Sequence, residues 1–225
     1  MKTANANASA TAEGRTEHGL PIDESFSRPA SEEQIQRAAE SLRLHNFEVK
    51  VVDTAAEARS YVTSILPRDK TIFTSASETI RLSGLDEEIN GSETYLSIRR
   101  EVAKLDPQAR MPEMRRRGAT PDVVVGSVHA VTEDGALVAA SASGSQLGPY
   151  SAGAAKAIFV VGSQKVVPDL ETAMRRLKLY SYPKEDVRAR EKYGMPSSLA
   201  KILILNGDWP QGRTTVVIVR EAIGF

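Results

Sequence analysis

PDVVVGSVHAVTEDGALVAASASGSQLGPYSAGAAKAIFVVGSQKVVP, residues 121–168, is the stretch that decides the fold. It holds three apolar runs of strand length: Val123-Val124-Val125, Ala136-Leu137-Val138-Ala139-Ala140 and Ala157-Ile158-Phe159-Val160-Val161. Each gives way to small or polar residues rather than to another apolar turn, as buried strands do. The connections carry the unusual chemistry: Thr132-Glu133-Asp134-Gly135, the segment Ser141 to Pro149, and Gly162-Ser163-Gln164-Lys165. A site is expected there.

Before this stretch, Ser31-Glu32-Glu33-Gln34 is a capping box, and Ile35, Ala38, Ala39 and Leu42 follow at helical spacing. Phe47 to Val52 alternates as a strand, Thr54 caps a second helix with Ala58, Tyr61, Val62 and Ile65 as its apolar positions, and Thr71-Ile72-Phe73-Thr74 is a second strand. Strands separated by helices of this length pair in parallel through right-handed crossovers. Residues 75–120 mix short apolar clusters with many charges and read as helices; Arg99-Arg100 and Arg115-Arg116-Arg117 are expected on solvated faces.

After the stretch, Asp169 opens a helix to about Leu179, Pro183 is expected to break the chain, and Lys184 to Tyr193 forms a charged helix stopped by Gly194. The runs Ile202 to Leu205 and Thr214 to Val219 flank a Gly-containing loop and suggest a terminal β-hairpin. The expected architecture is α/β, an open and mainly parallel sheet flanked by helices. Residues 31–225 read as one domain and residues 1–30 as a mobile tail, with the alternative that Leu20, Ile22 and Phe26 pin that segment to the domain or to a partner.

The chain has 225 residues, 41% of them hydrophobic, enough for a substantial core. Lys+Arg and Asp+Glu stand at 29 each, so no net field draws it to nucleic acid or to an anionic membrane. Without cysteine it can hold no disulfide, no thiolate nucleophile and no cofactor or metal through a thiolate. No run reaches membrane-span length and no secretory signal is present, so the cytoplasm is the expected compartment.

Ser141, Ser143, Gly144, Ser145 and Gln146 form a Ser/Gly loop whose backbone N–H groups and hydroxyls suit a small anion such as a carboxylate or phosphate, although such loops also serve as plain connectors. Glu133 is a candidate general base or nucleophile at a strand end, while Asp134-Gly135 also reads as a simple turn. Lys165 is a candidate for neutralising a bound anion, with Ser127 and His129 nearby in sequence. One histidine without clustered carboxylates points to no metal site, and the absence of a G-x-S-x-G elbow argues against a Ser–His–Asp hydrolase.

Taken in order, Val123-Val124-Val125-Gly126-Ser127-Val128-His129-Ala130, Thr132-Glu133-Asp134-Gly135-Ala136-Leu137-Val138, Ser141-x-Ser143-Gly144-Ser145-Gln146 and Phe159 to Leu170 resemble the LUD domain of the lactate-utilization protein C family, as does Gly212 to Phe225. The resemblance implies the fold shared by ribose-5-phosphate isomerase, glucosamine-6-phosphate deaminase and CoA transferases. It also implies a component of bacterial L-lactate oxidation that accompanies an iron–sulfur protein and a second subunit. Glu133 before Gly135 is similar in setting to the glutamate nucleophile of CoA transferases. Some family members carry cysteines in the segment corresponding to residues 193–206, where this chain has none. Three functions follow as expectations: an accessory subunit binding a small anion or a partner at the Ser/Gly loop, a free-standing enzyme on a sugar phosphate or acyl-CoA using Glu133, or a structural homodimer.

Overall fold

The computed structural model of the protein describes residues 13–209 and 211–225. In chain order the strands are β1 (Glu13–Arg15), β2 (Pro21–Asp23), β3 (Glu48–Val52), β4 (Thr71–Thr74), β5 (Leu96–Ser97), β6 (Val123–Gly126), β7 (Ala130–Thr132), β8 (Leu137–Ser141), β9 (Lys156–Gly162), β10 (Val166–Val167), β11 (Lys201–Leu205) and β12 (Thr214–Val219). The helices are α1 (Glu32–Leu44), α2 (Ala55–Ile65), α3 (Glu78–Leu82), α4 (Leu85–Gly91), α5 (Ile98–Ala103), α6 (Pro107–Ala119), α7 (Leu170–Arg176) and α8 (Tyr182–Tyr193), with wider π turns at Pro149–Gly153 and Leu177–Ser181.

The centre is a six-stranded sheet in the order β3-β12-β9-β6-β4-β5, parallel at every pairing. Successive side chains of a strand point to opposite faces, and the core divides accordingly. Val124, Phe159, Val216 and Ile218 pack on one face with Ile35, Ala38, Ala39 and Leu42 of α1. Val123, Val125, Ile158, Val160, Val217 and Val219 pack on the other with Ala58 and Val62 of α2 and with Ile80, Leu85 and Ile89. The Ser31 capping box forms as its residue types require, with the Ser31 hydroxyl on the Gln34 N–H and the Gln34 side chain on the Ser31 N–H.

A second sheet, β10-β7-β8-β11, covers the α1 face beside that helix. Its outer side, Ala130, Val138 and Ala140, packs under α7 and Tyr180. The turn Glu133-Asp134-Gly135 joins β7 to antiparallel β8, with Gly135 at φ 93°, a region that favours glycine.

Three expectations are corrected. The terminal hairpin does not form: β11 pairs antiparallel with β8, while β12 lies between β3 and β9. Every residue of β12 is buried, and a run apolar on both faces gains most with a strand on each side; β11, with Ile202 and Ile204 partly exposed, suits an edge. Pro183 does not break the chain: α7, the π turn at Leu177–Ser181 and α8 follow one another without interruption, and Pro183 stands directly after that wider turn. The segment from Glu13 to Ala30 is an ordered arm rather than a mobile tail. β1 pairs with β2, and Ile22 and Phe26 are buried against Ala173, Leu177 and Tyr180. Residues 1–12 of the expected tail lie outside the described residues.

Candidate functional site

In a parallel sheet all strands end on one side, and the crevice beyond those ends is where an open α/β fold takes a ligand. Here β4 runs out into Ser75, β6 into Ser127 and β9 into Ser163, Gln164 and Lys165. The three strand ends converge on Lys165, which is 1% exposed. Its Nζ lies 2.8 Å from Thr79 Oγ1, 3.1 Å from Ser127 Oγ and 3.1 Å from the Val128 carbonyl. These partners include no carboxylate. Burial, and after it the Arg176 guanidinium, hold the Lys165 pKa well below the usual lysine value.

Tyr150 completes the rim. Its hydroxyl lies 2.8 Å from Ser75 Oγ, receives the Ser127 N–H at 3.2 Å and faces the Ser127 carbonyl at 3.1 Å. Burial pushes the phenol up to about 12. The π turn that delivers Tyr150 is held by Arg213, whose guanidinium donates to the carbonyls of Pro149, Tyr150 and Ala154. An edge-on contact with Phe159, centroids 4.5 Å apart, fixes the ring. Gly126 is required by this approach, since a Cβ there would stand 1.9 Å from the Tyr150 hydroxyl and 2.6 Å from Ser75 Oγ.

Two further cations border the group without carboxylate partners among the described residues. Arg99 lies over the Phe73 ring, donates through Nε to the Thr74 carbonyl, and leaves both terminal nitrogens without a hydrogen-bond partner among the described residues. Arg176 is fully buried; it donates to the carbonyls of Gln164 and His129 and to Ser181 Oγ, and its Nη2 has no partner among the described residues. His129 accepts the Ala140 N–H at Nδ1, which places its proton on Nε2. Desolvation first, then Lys165 and Arg176, hold its pKa down at about 3. The interior behind the strand ends therefore carries an excess of cationic groups over carboxylates, an environment that favours an anion.

A model of the LUD domain matches residues 35–219. The chain belongs to the LUD domain family. No curated protein matches it. Among solved structures, a crystal structure of a DUF162 family protein from Deinococcus radiodurans superposes with a TM-score of 0.51 at 17% identity, over 85% of this chain and 99% of that one. At that identity the likeness speaks for the α/β fold.

Within this LUD domain the residues singled out from sequence fall into three places. Ser127 and Lys165 meet at the strand ends, with His129 two residues further along the chain from Ser127. Ser141, Ser143, Gly144, Ser145 and Gln146 form a separate loop whose groups largely satisfy one another: Ser141 Oγ takes the Gly144 N–H and donates to Gln146, Ser143 bonds Ser145, and Gln146 Nε2 donates to the Ala140 carbonyl. Glu133 stands at the β7–β8 turn, one carboxylate oxygen 2.9 Å from Gln34 Nε2 and the other 2.6 Å from Arg37 Nε, and makes no contact with the Lys165 group. Sequence reading missed Ser75, Thr79, Arg99, Tyr150 and Arg176. The available signal was the change from apolar strand to hydroxyl at Thr74-Ser75, which repeats at Gly126-Ser127 and Gly162-Ser163. Among the described residues no group of three or more His, Asp or Glu could hold a metal ion, and no helix is long and apolar enough to cross a membrane. Two surface cavities, about 470 and 430 Å³, lie at the two edges of the six-stranded sheet and include neither Ser127 nor Lys165 in their walls. At the strand ends Lys165 and Tyr150 are each 1% exposed, Ser127 is 8% exposed and Arg99 is half-buried.

Proposed function

We propose that this LUD domain is a component of bacterial lactate utilization that binds a small organic-acid anion at the strand-end rim, alongside an iron–sulfur protein and a second subunit. The family supplies the metabolic context. The observation that carries the binding site is Arg99, a half-buried guanidinium with both terminal nitrogens unpartnered among the described residues, beside the Ser75–Tyr150–Ser127–Lys165 chain of hydrogen bonds. A guanidinium fork matches a carboxylate, and neighbouring hydroxyls supply the remaining donors. The rim takes the ligand in preference to the Ser141–Pro149 loop because the loop's hydroxyls are engaged with one another. No observation favours the reading in which Glu133 acts on a substrate.

Titration calorimetry with L-lactate, pyruvate, acetate and inorganic phosphate tests this. Binding of at least one carboxylate is expected, weakened by about tenfold or more in Arg99→Met, which removes one charge-assisted pair worth about 1.5–3 kcal/mol. No binding by any of the four, or equal binding by the variant with its melting temperature intact, overturns the site. Affinity capture of the protein from its native host is expected to recover an iron–sulfur partner.

A further inference from the structure

The strand ends hold a hydroxyl and an amine in a relation that anion binding alone does not use. Nζ of Lys165 faces three oxygens, and the donors can be counted. The Val128 carbonyl can only accept, so it takes one N–H. Thr79 Oγ1 gives its own proton to the Ile223 carbonyl at 3.2 Å and therefore accepts a second N–H from Lys165. As an ammonium, Lys165 gives its third N–H to Ser127 Oγ, 3.1 Å away. In the neutral amine that N–H is replaced by a lone pair facing Ser127 Oγ, placed to accept the hydroxyl proton. The alternative acceptor for that hydroxyl, the Val128 carbonyl, lies further off at 3.3 Å.

From this geometry we infer that Ser127 and Lys165 form a Ser–Lys nucleophilic pair, with Thr79 orienting the amine, acting on an activated acyl group such as a thioester or ester of a small carboxylic acid. The pair meets the requirement of such chemistry: a nucleophile within hydrogen-bond reach of a base that is itself positioned by a third group. Burial without a carboxylate neighbour lowers the Lys165 pKa well below the usual lysine value, the direction that suits a base. In the first step the Ser127 Oγ–acyl bond forms as the hydroxyl proton passes to Lys165. The bond to the leaving thiolate or alkoxide then breaks, and Lys165 returns the proton to it. In the second step water attacks the acyl-serine, its proton passes through Lys165 to Ser127 Oγ, and the free acid leaves. The net reaction is hydrolysis, with no co-reactant besides water. Ser127 is the partly accessible member of the pair, and Arg99 offers a charge to hold an acidic acyl group.

The inference rests on the same rim as the proposed function, and the test separates the two. The full chain is incubated with a fluorophosphonate probe and the adduct is located by peptide mass spectrometry; hydrolysis of p-nitrophenyl and thioester derivatives of short acids is followed in parallel. An adduct on Ser127 is expected, absent in Ser127→Ala and slowed by about 100-fold or more in Lys165→Met, the range lost with a general base. Labelling of the parent protein is expected to rise with pH to a plateau reached well below the usual lysine pKa, a profile that a purely structural lysine would not produce. Thr79→Val, milder than removal of the lysine, is expected to slow labelling while the protein stays folded. A folded parent protein with no adduct on Ser127 overturns the inference, as does a labelling rate insensitive to both Lys165→Met and Thr79→Val. Carboxylate binding in calorimetry together with an unlabelled Ser127 leaves the binding role standing and removes the hydrolytic one. Failure of both removes the rim as a site.

Discussion

At the residue scale, His129 and Gly126 are two tightly constrained positions beside the Ser127–Lys165 pair. His129 has a folded-state pKa of about 3, below the ordinary 6.5, because burial and the two nearby cations oppose its protonated form. The unfolded chain therefore takes up the proton first as pH falls. The stability contributed by neutral His129 is complete above about pH 6.5 and is lost on the way down to about pH 3, at up to about 1.4 kcal/mol per pH unit. Urea unfolding measured between about pH 7 and about pH 4.5 should show this slope, and His129→Gln, whose amide oxygen can still receive the Ala140 N–H, should flatten it. An unchanged slope would place the acid sensitivity elsewhere. Gly126 makes a steric argument. A methyl group there meets the Tyr150 hydroxyl and Ser75 together, so Gly126→Ala must expel the tyrosine from the rim. The expected outcome is a loss of a few kcal/mol, as for other overpacked cores, and loss of ligand binding in the same variant.

At the element scale, legibility followed whether an element's partner was local. The capping box of α1, its buried stripe, β3, the Thr54 cap of α2 and the Asp169 cap of α7 form as read, because these signals act within one turn or one strand. What failed needed knowledge of distant partners. Adjacent runs 202–205 and 214–219 look like a hairpin until the strands β8, β3 and β9 are available to pair with them. Arg99 looks like a surface charge until Phe73 and Thr74 are placed beneath it, and the burial of Lys165 depends on Thr79 of α3, distant in sequence. The arm shows the same dependence: Phe26 is a lone aromatic in a polar segment, yet it lies under Arg175, 5.1 Å from ring centroid to guanidinium, and against Leu177. Phe26→Ala should remove most of the arm's apolar anchor. Limited proteolysis is then expected to cut between Thr16 and Arg28 well before the rest of the chain, while the parent protein resists. Equal resistance would show that the β1–β2 pairing and the Lys184–Glu24 ion pair hold the arm without the ring.

At the scale of the whole molecule, the sheet order makes the last strand in sequence a central one. β12 occupies the position between β3 and β9, residues 214–219 lying opposite 157–162 on one side and residues 215–219 opposite 48–52 on the other. Until it enters, β3 has no neighbour in the sheet, α2 lacks the floor made by Val217 and Val219, and α1 lacks that made by Val216 and Ile218. Closure of such long-range pairings carries its entropy cost before the contacts repay it. The expected consequence is that the β3 side of the sheet closes late, and that the strand-end rim is completed with it, since Thr79 Oγ1 donates to the Ile223 carbonyl just beyond β12. Ile218, with no exposed surface, is the position from which to test this. Ile218→Ala should cost about 2–5 kcal/mol. If β12 joins after the transition state, the loss should appear mainly as faster unfolding with little change in refolding rate. Stopped-flow kinetics in denaturant reads the partition directly, and a loss carried mainly by the refolding limb would place β12 in the nucleus instead.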